Sequence, residues 1–171
     1  MAGHLRAEKD PLLAAKAASL LPDSSRIKIN HVGFALNQTY NRRARLESET
    51  NPRYQWVGGV AHWQSRRRIA RSRLLLLTSK SEGGPSVFAE AIMNDVPILS
   101  TRIPTTCGML EPDYPGLFPV GDHRRLAQLL DRCETDQRFY RELLGKTRKL
   151  KKRFAPRAEL AAWRHLMGEL G

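Results

Sequence analysis

Apolar and polar positions along this chain switch between two periods. Short apolar runs bounded by polar or turn residues, Ile27 to Gly33, Tyr54 to Val57, Leu74-Leu75-Leu76-Leu77-Thr78-Ser79 and Val96 to Ser100, read as strands. The Leu74 run is apolar on consecutive positions, as expected of a strand covered on both faces in a parallel sheet. Between these runs, helical patterning spans about Pro11 to Leu21, Gln38 to Thr50, and His62-Trp63 to about Ser72. A further helix carries Glu90, and helices close the chain from Asp122 onward. Strands alternating with helices imply an α/β fold built on a Rossmann-like, doubly wound parallel sheet. No internal repeat or low-complexity tract is visible.

A length of 171 residues with 41% hydrophobic positions suits one globular domain with one core. The N-terminus carries His4, Arg6, Glu8, Lys9 and Asp10 where a secretory signal needs an apolar segment. No segment has the apolar length that a bilayer demands. Cys107 and Cys133 lack metal-ligand spacing and read as reduced thiols, so a soluble, cytoplasmic protein is expected.

The net charge of +12 comes from clusters at Arg42-Arg43-Arg45, at Arg66-Arg67-Arg68 with Arg71 and Arg73, and at Lys146 to Arg153. These clusters fall on separate predicted helices without an aromatic-basic RNA motif, which favours solvated helix faces over nucleic-acid binding. A third reading lets the basic surface attract anionic donors or a membrane edge. Residues Glu142 to Leu170 alternate apolar Leu143, Leu144, Leu150, Phe154, Leu160, Trp163 and Leu166 with Lys and Arg. Ordinary core packing produces the same stripe.

The densest chemistry lies in Ser81-Glu82-Gly83-Gly84-Pro85-Ser86-Val87-Phe88-Ala89-Glu90-Ala91. It joins the Leu74 strand to a helix start through glycines, and Pro85 suits a helix's first turn. The Ser86 and Val87 amides would then face the carboxyl end of the strand as an anion site. A sugar needs acceptors for its hydroxyls, which Glu82 and Glu90 on either side of the amides supply. A plain helix start with Glu82 solvated and Glu90 on an exposed face accounts for the same pattern. Among the histidines, His31 in its strand and His62 beside Trp63 read as structural, and His123 and His165 as surface residues. His4 alone acquires functional weight, from its place in the loop facing the strand ends.

These residues resemble the Glu-x7-Glu motif in the C-terminal domain of GT-B glycosyltransferases, in the large retaining family that uses nucleotide-diphosphate sugars. Gly3 to Pro11 is similar to that family's first phosphate loop, with Lys9 at the phosphate-binding lysine. His4 occupies the family's arginine position and Arg6 follows two residues later, so either cation could complete the diphosphate site. Tyr54-Gln55-Trp56-Val57-Gly58-Gly59 resembles the strand-glycine segment that approaches the nucleotide base.

The resemblance implies Lys9 and Glu82 at the reacting centre, Glu82 toward the hexose. It implies Gly3, His4, Arg6, Gly83, Gly84 and the Ser86 and Val87 amides around the diphosphate, and Glu90 at the ribose hydroxyls. Neither carboxylate is required as a general acid or nucleophile. Lys9, a His4 or Arg6 cation and the helix amides would stabilise the leaving diphosphate, so no metal or other cofactor is expected.

A narrower likeness runs through Gly3-His4-Leu5-Arg6, Asn51-Pro52-Arg53-Tyr54 and Pro112 to Asp122. It points to a glycosyltransferase subfamily that includes selenosugar synthase, which implies a UDP-sugar donor and selenophosphate as acceptor. Only the second half of the GT-B architecture is matched. Residues 1–171 are therefore expected to form one donor-binding domain, with a truncated first strand, that works with an N-terminal acceptor domain absent from this chain. The alternatives are a non-catalytic nucleotide-sugar-binding domain and a basic interaction domain.

Overall fold

The computed structural model describes residues 1–154. In chain order these form α1 (Leu13–Ala18), β1 (Ile29–Val32), α2 (Gln38–Thr50), β2 (Tyr54–Gly58), α3 (His62–Ala70), β3 (Leu75–Leu77), α4 (Ser86–Met93), β4 (Ile98–Thr101), α5 (Pro104–Leu110), β5 (Leu117–Phe118), α6 (His123–Thr135) and α7 (Gln137–Phe154). All strand pairings are parallel, β1 with β2, β3 with β4, and β4 with β5. This is the Rossmann-like α/β architecture that the alternating pattern implied.

The sheet is divided into a β1-β2 piece and a β3-β4-β5 piece. A first strand is reduced to isolated parallel bridges, Ala2 with Val32 and Leu5 with Ala35. Its bonds to the end of β1 are Val32 N–H to Met1 O at 3.0 Å, Gly3 N–H to Val32 O at 2.9 Å and Leu5 N–H to Phe34 O at 2.8 Å. Cavities of about 520 and 500 Å³, both bordered by Met1, by β1 residues and by Leu74, lie where the two pieces face each other.

Local chemistry explains the element ends. Asn37 Oδ1 accepts from Tyr40 N–H at 2.9 Å and caps α2. Asp122 Oδ1 caps α6 through Arg125 N–H at 2.8 Å. Asp136 Oδ1 starts α7 by accepting from the Arg138 and Phe139 amides at 2.9 and 3.0 Å. Those amides, Phe139 first, hold the Asp136 carboxyl below its ordinary range. Pro85 sits at the N-cap of α4 with φ −73° and ψ 108°, one residue before the helical position expected for it.

Two elements escaped the pattern. Pro104 opens α5, but Thr105, Thr106 and Gly108 are weak helix formers that mask it. The two residues of β5 are too few to show a period.

The core is contiguous. α1 is buried along Leu13, Ala14, Ala15, Ala17 and Ala18 and packs on α6, while α4 packs on both α3 and α7. β3 is buried at every position, as its unbroken leucine run requires. Of the amphipathic stripe in the last region, Leu143 and Leu150 are buried on α7, and Phe154 packs partly buried against the core. Leu160, His165, Trp163 and Leu166 lie outside the described residues. The arginines of α2 and α3 in the basic clusters are largely exposed on their separate helices.

Candidate functional site

The loops at the carboxyl ends of β1, β2 and β3 meet the segment Ala2 to Lys9 around a cavity of about 450 Å³. Its border includes Gly3, His4, Arg6, Lys9, Glu82, Gly84, Ser86 and Val87. Eight residues picked out by the sequence pattern and the family resemblance thus come together where open α/β sheets place ligands. Gly83 and Glu90 do not border the cavity.

The segment from Gly3 to Asp10 is held closely on both sides. A Cβ added to Gly33 would stand 1.9 Å from Gly3 O, and Gly33 has φ +154°, so only glycine lets the two chains approach there. A short 3₁₀ turn over Ala7–Lys9 ends at Asp10 in the left-handed region. Thr78 Oγ1 donates to Lys9 O at 2.8 Å and to Asp10 O at 3.0 Å, and Lys80 N–H donates to Glu8 O at 2.7 Å. The end of β3 therefore fixes the backbone that carries Lys9.

Lys9 Nζ donates to Glu82 Oε1 at 2.5 Å, with the side chains 18% and 6% exposed. Ser79 Oγ donates to the same oxygen at 2.5 Å. Thr105 Oγ1 donates to Glu82 O at 2.6 Å, which brings α5 into the support of this loop. Glu82 is not a solvated turn residue, and the phosphate-binding lysine and the hexose-side carboxylate that the resemblance implies are bonded to each other.

The two candidate cations differ in what holds them. His4 Nδ1 accepts from Phe34 N–H at 3.2 Å, which assigns the ring proton to Nε2 and leaves that N–H as a donor. Its ring also lies against Phe34, with centroids 5.7 Å apart. Arg6 is about half exposed and lies 3.9 Å from Glu8.

At the start of α4, Phe88 N–H reaches Pro85 O at 2.9 Å. The earlier amides, Ser86 and Val87, precede any intrahelical acceptor and point out of the helix end. Glu90 lies within α4, its side chain 13% exposed, with Oε1 3.1 Å from His62 Nε2. It is neither on an exposed face nor open to the cavity. His62, expected to be structural, is 76% exposed in its side chain and borders the cavity.

Phe34, Val60, His62 and Ser65 on the cavity border were missed as individual site residues. The available signal was positional: they follow the ends of β1 and β2, and Gly33 and Gly59 sit beside them. A Cβ on Gly59 would come within 2.0 Å of the Phe34 ring.

His31 matches its structural expectation. It is fully buried, with Nδ1 2.7 Å from Tyr54 Oη and Nε2 3.0 Å from Gly3 O. Burial first, and then the positive N-terminus, push its pKa down to about 3. Burial pushes the Cys133 thiol up to about 12, consistent with an unreactive thiol.

The residues behind the narrower likeness divide by role. Gly3, His4 and Arg6 border the cavity. Asn51 Nδ2 instead bonds Ala15 O, Ser19 Oγ and Glu47 Oε1 at 3.0–3.1 Å, while Arg53 reaches Pro22 O at 2.8 Å. Tyr114 Oη accepts from Ile98 N–H and meets Thr147 Oγ1, both at 3.1 Å. That second group builds the scaffold.

The family described as Glycosyl transferases group 1 matches residues 1–154. Solved structures with the same fold include Anabaena HepE in complex with UDP and glucose, at TM-score 0.79 and 19% identity over 99% of this chain and 47% of that one. A glycosyltransferase from Rickettsia africae matches at TM-score 0.82 and 13% identity, over 99% and 46%. A Staphylococcus aureus TarM mutant, in complex with fondaparinux, alpha-GlcNAc-glycerol and UDP, matches at TM-score 0.76 and 15% identity, over 96% and 34%. At such identities these likenesses establish fold. The chain spans less than half the length of each neighbour. No curated protein matches it.

Proposed function

The chain belongs to the group 1 glycosyl transferases, and from that premise we propose that it is the donor half of a two-domain enzyme, binding a nucleoside diphosphate sugar, with UDP as the nucleotide. The observation that carries this reading is the cavity at the strand ends, where Lys9, the exposed amides of α4 and Glu82 converge. HepE and TarM, which share the fold, were solved with UDP bound.

The chemistry follows from the Lys9–Glu82 pair. A diphosphate competes with Glu82 for the Lys9 ammonium, and Glu82, once released, becomes an acceptor for a sugar hydroxyl. Cleavage of the anomeric bond leaves its electron pair on the diphosphate oxygen, where Lys9, the Ser86 and Val87 amides and the His4 Nε2–H stabilise the charge. In this reading no metal takes part, and Glu90 serves the ribose.

From the subfamily likeness, selenophosphate is the acceptor: its selenium forms the new bond to the anomeric carbon as UDP departs. Acceptor contacts and cleft closure belong to the N-terminal domain of such an enzyme, so this chain alone binds donor without turnover. Calorimetric titration with UDP and UDP-N-acetylglucosamine in the absence of added metal tests the reading. Saturable binding that is lost in Lys9→Ala and in Glu90→Ala supports it. A folded chain that binds neither nucleotide refutes it.

A further inference from the structure

Glu90 is already engaged by His62, whose Nε2 is 3.1 Å from Oε1, while the other carboxylate oxygen, Oε2, is buried without a hydrogen-bond partner among the described residues. The two side chains differ in freedom. That of His62, at the first position of α3, is 76% exposed and borders the cavity, whereas that of Glu90 is 13% exposed and does not. Asn94 Nδ2 donates to the backbone oxygen of Glu90 at 2.7 Å and α3 packs on α4, so the more accessible member of the pair is the imidazole.

We propose that His62 is a gate over Glu90, a built-in donor that occupies the carboxylate until a ribose diol displaces it; the inference rests on the donor reading above. An imidazole N–H and a ribose hydroxyl make the same demand on Oε1. A single imidazole N–H satisfies one carboxylate oxygen, while vicinal hydroxyls can satisfy two. The diol therefore restores the hydrogen bond that Oε2 lacks with the gate closed, and an unmade bond at a buried acceptor is costly. One exposed hydrogen bond holds the gate, so opening it lowers nucleotide affinity by about three- to tenfold. His62 is in this sense a positioning residue that acts through Glu90.

The test is calorimetric titration of wild type, His62→Ala and His62→Gln with UDP and with inorganic pyrophosphate, at one pH and salt concentration. Pyrophosphate reaches the phosphate-binding groups but has no ribose. His62→Ala should bind UDP about three- to tenfold more tightly with pyrophosphate affinity unchanged, and His62→Gln, which keeps an N–H donor, should stay near wild type. Unchanged or weaker UDP binding by His62→Ala overturns the gate, as does an equal gain for pyrophosphate. UDP binding that is lost in Lys9→Ala but indifferent to His62 removes the gate and keeps the donor reading. Absence of UDP binding by both wild type and His62→Ala, with the chain folded, overturns both.

Discussion

Lys9 Nζ and Glu82 Oε1 are 2.5 Å apart although 73 positions separate them in the chain, and the contact joins the N-terminal loop to the turn after β3. Each charge of the pair offsets the other in the free site, and each partner sets the other's availability. Lys9→Ala is expected to weaken UDP binding by roughly tenfold or more, the scale of a lost charge-assisted hydrogen bond. Glu82→Gln should tighten pyrophosphate binding several-fold by releasing Lys9. It should also erase any preference for UDP-sugar over UDP. Titration of both variants with the three ligands checks the pair of outcomes.

His31 makes stability depend on pH. The unfolded chain takes up a proton near the ordinary 6.5, whereas the buried native imidazole resists until about 3. Between those values the unfolded state binds more protons, so stability is full above the upper one and falls as pH drops. The slope approaches about 1.4 kcal/mol per pH unit. Urea midpoints measured from pH 7.5 to 5 should fall more steeply for wild type than for His31→Asn. Equal slopes would show that His31 does not titrate in this way.

Gly33→Ala should be among the most damaging single changes. The new Cβ would meet Gly3 O at 1.9 Å and Gly3 C at 2.5 Å, on a backbone with φ +154°. A loss of about 2 kcal/mol or more is expected, with nucleotide binding weakened further because the Gly3 segment must move. Thermal unfolding and UDP titration of the variant measure the two effects separately.

Tyr114→Phe should lower stability by about 1–3 kcal/mol and leave nucleotide binding intact. Its hydroxyl is buried between Ile98 N–H on β4 and Thr147 Oγ1 on α7, far along the chain from the cavity residues. A fall in UDP affinity without loss of stability would contradict the scaffold role given to this residue.

Much of the architecture was legible because its signals are local. The leucine run of β3, the helical patterning of α2 and the amphipathic stripe of α7 each depend on neighbours within a few residues. α2 has the bounds its pattern predicts, Gln38–Thr50. The end of β1 at Val32 was not legible, because Gly33 lies beyond it where Gly3 approaches, a contact across 30 positions. α5 was hidden by weak helix formers and is held in part by Thr106 Oγ1 donating to Thr101 O at 2.6 Å.

Sequence by itself determined the α/β alternation, the glycine-rich turn before α4 and the residue types able to meet a phosphate and a sugar, since composition and short spacing carry that information. Only the tertiary structure decided that Lys9 bonds Glu82, that His62 covers Glu90, and that Glu90 stands behind the cavity border. Each of those depends on which loops the parallel crossovers bring together at the strand ends. Sequence spacing places a carboxylate on a helix, but the packing of α3 on α4 selects the donor that reaches it.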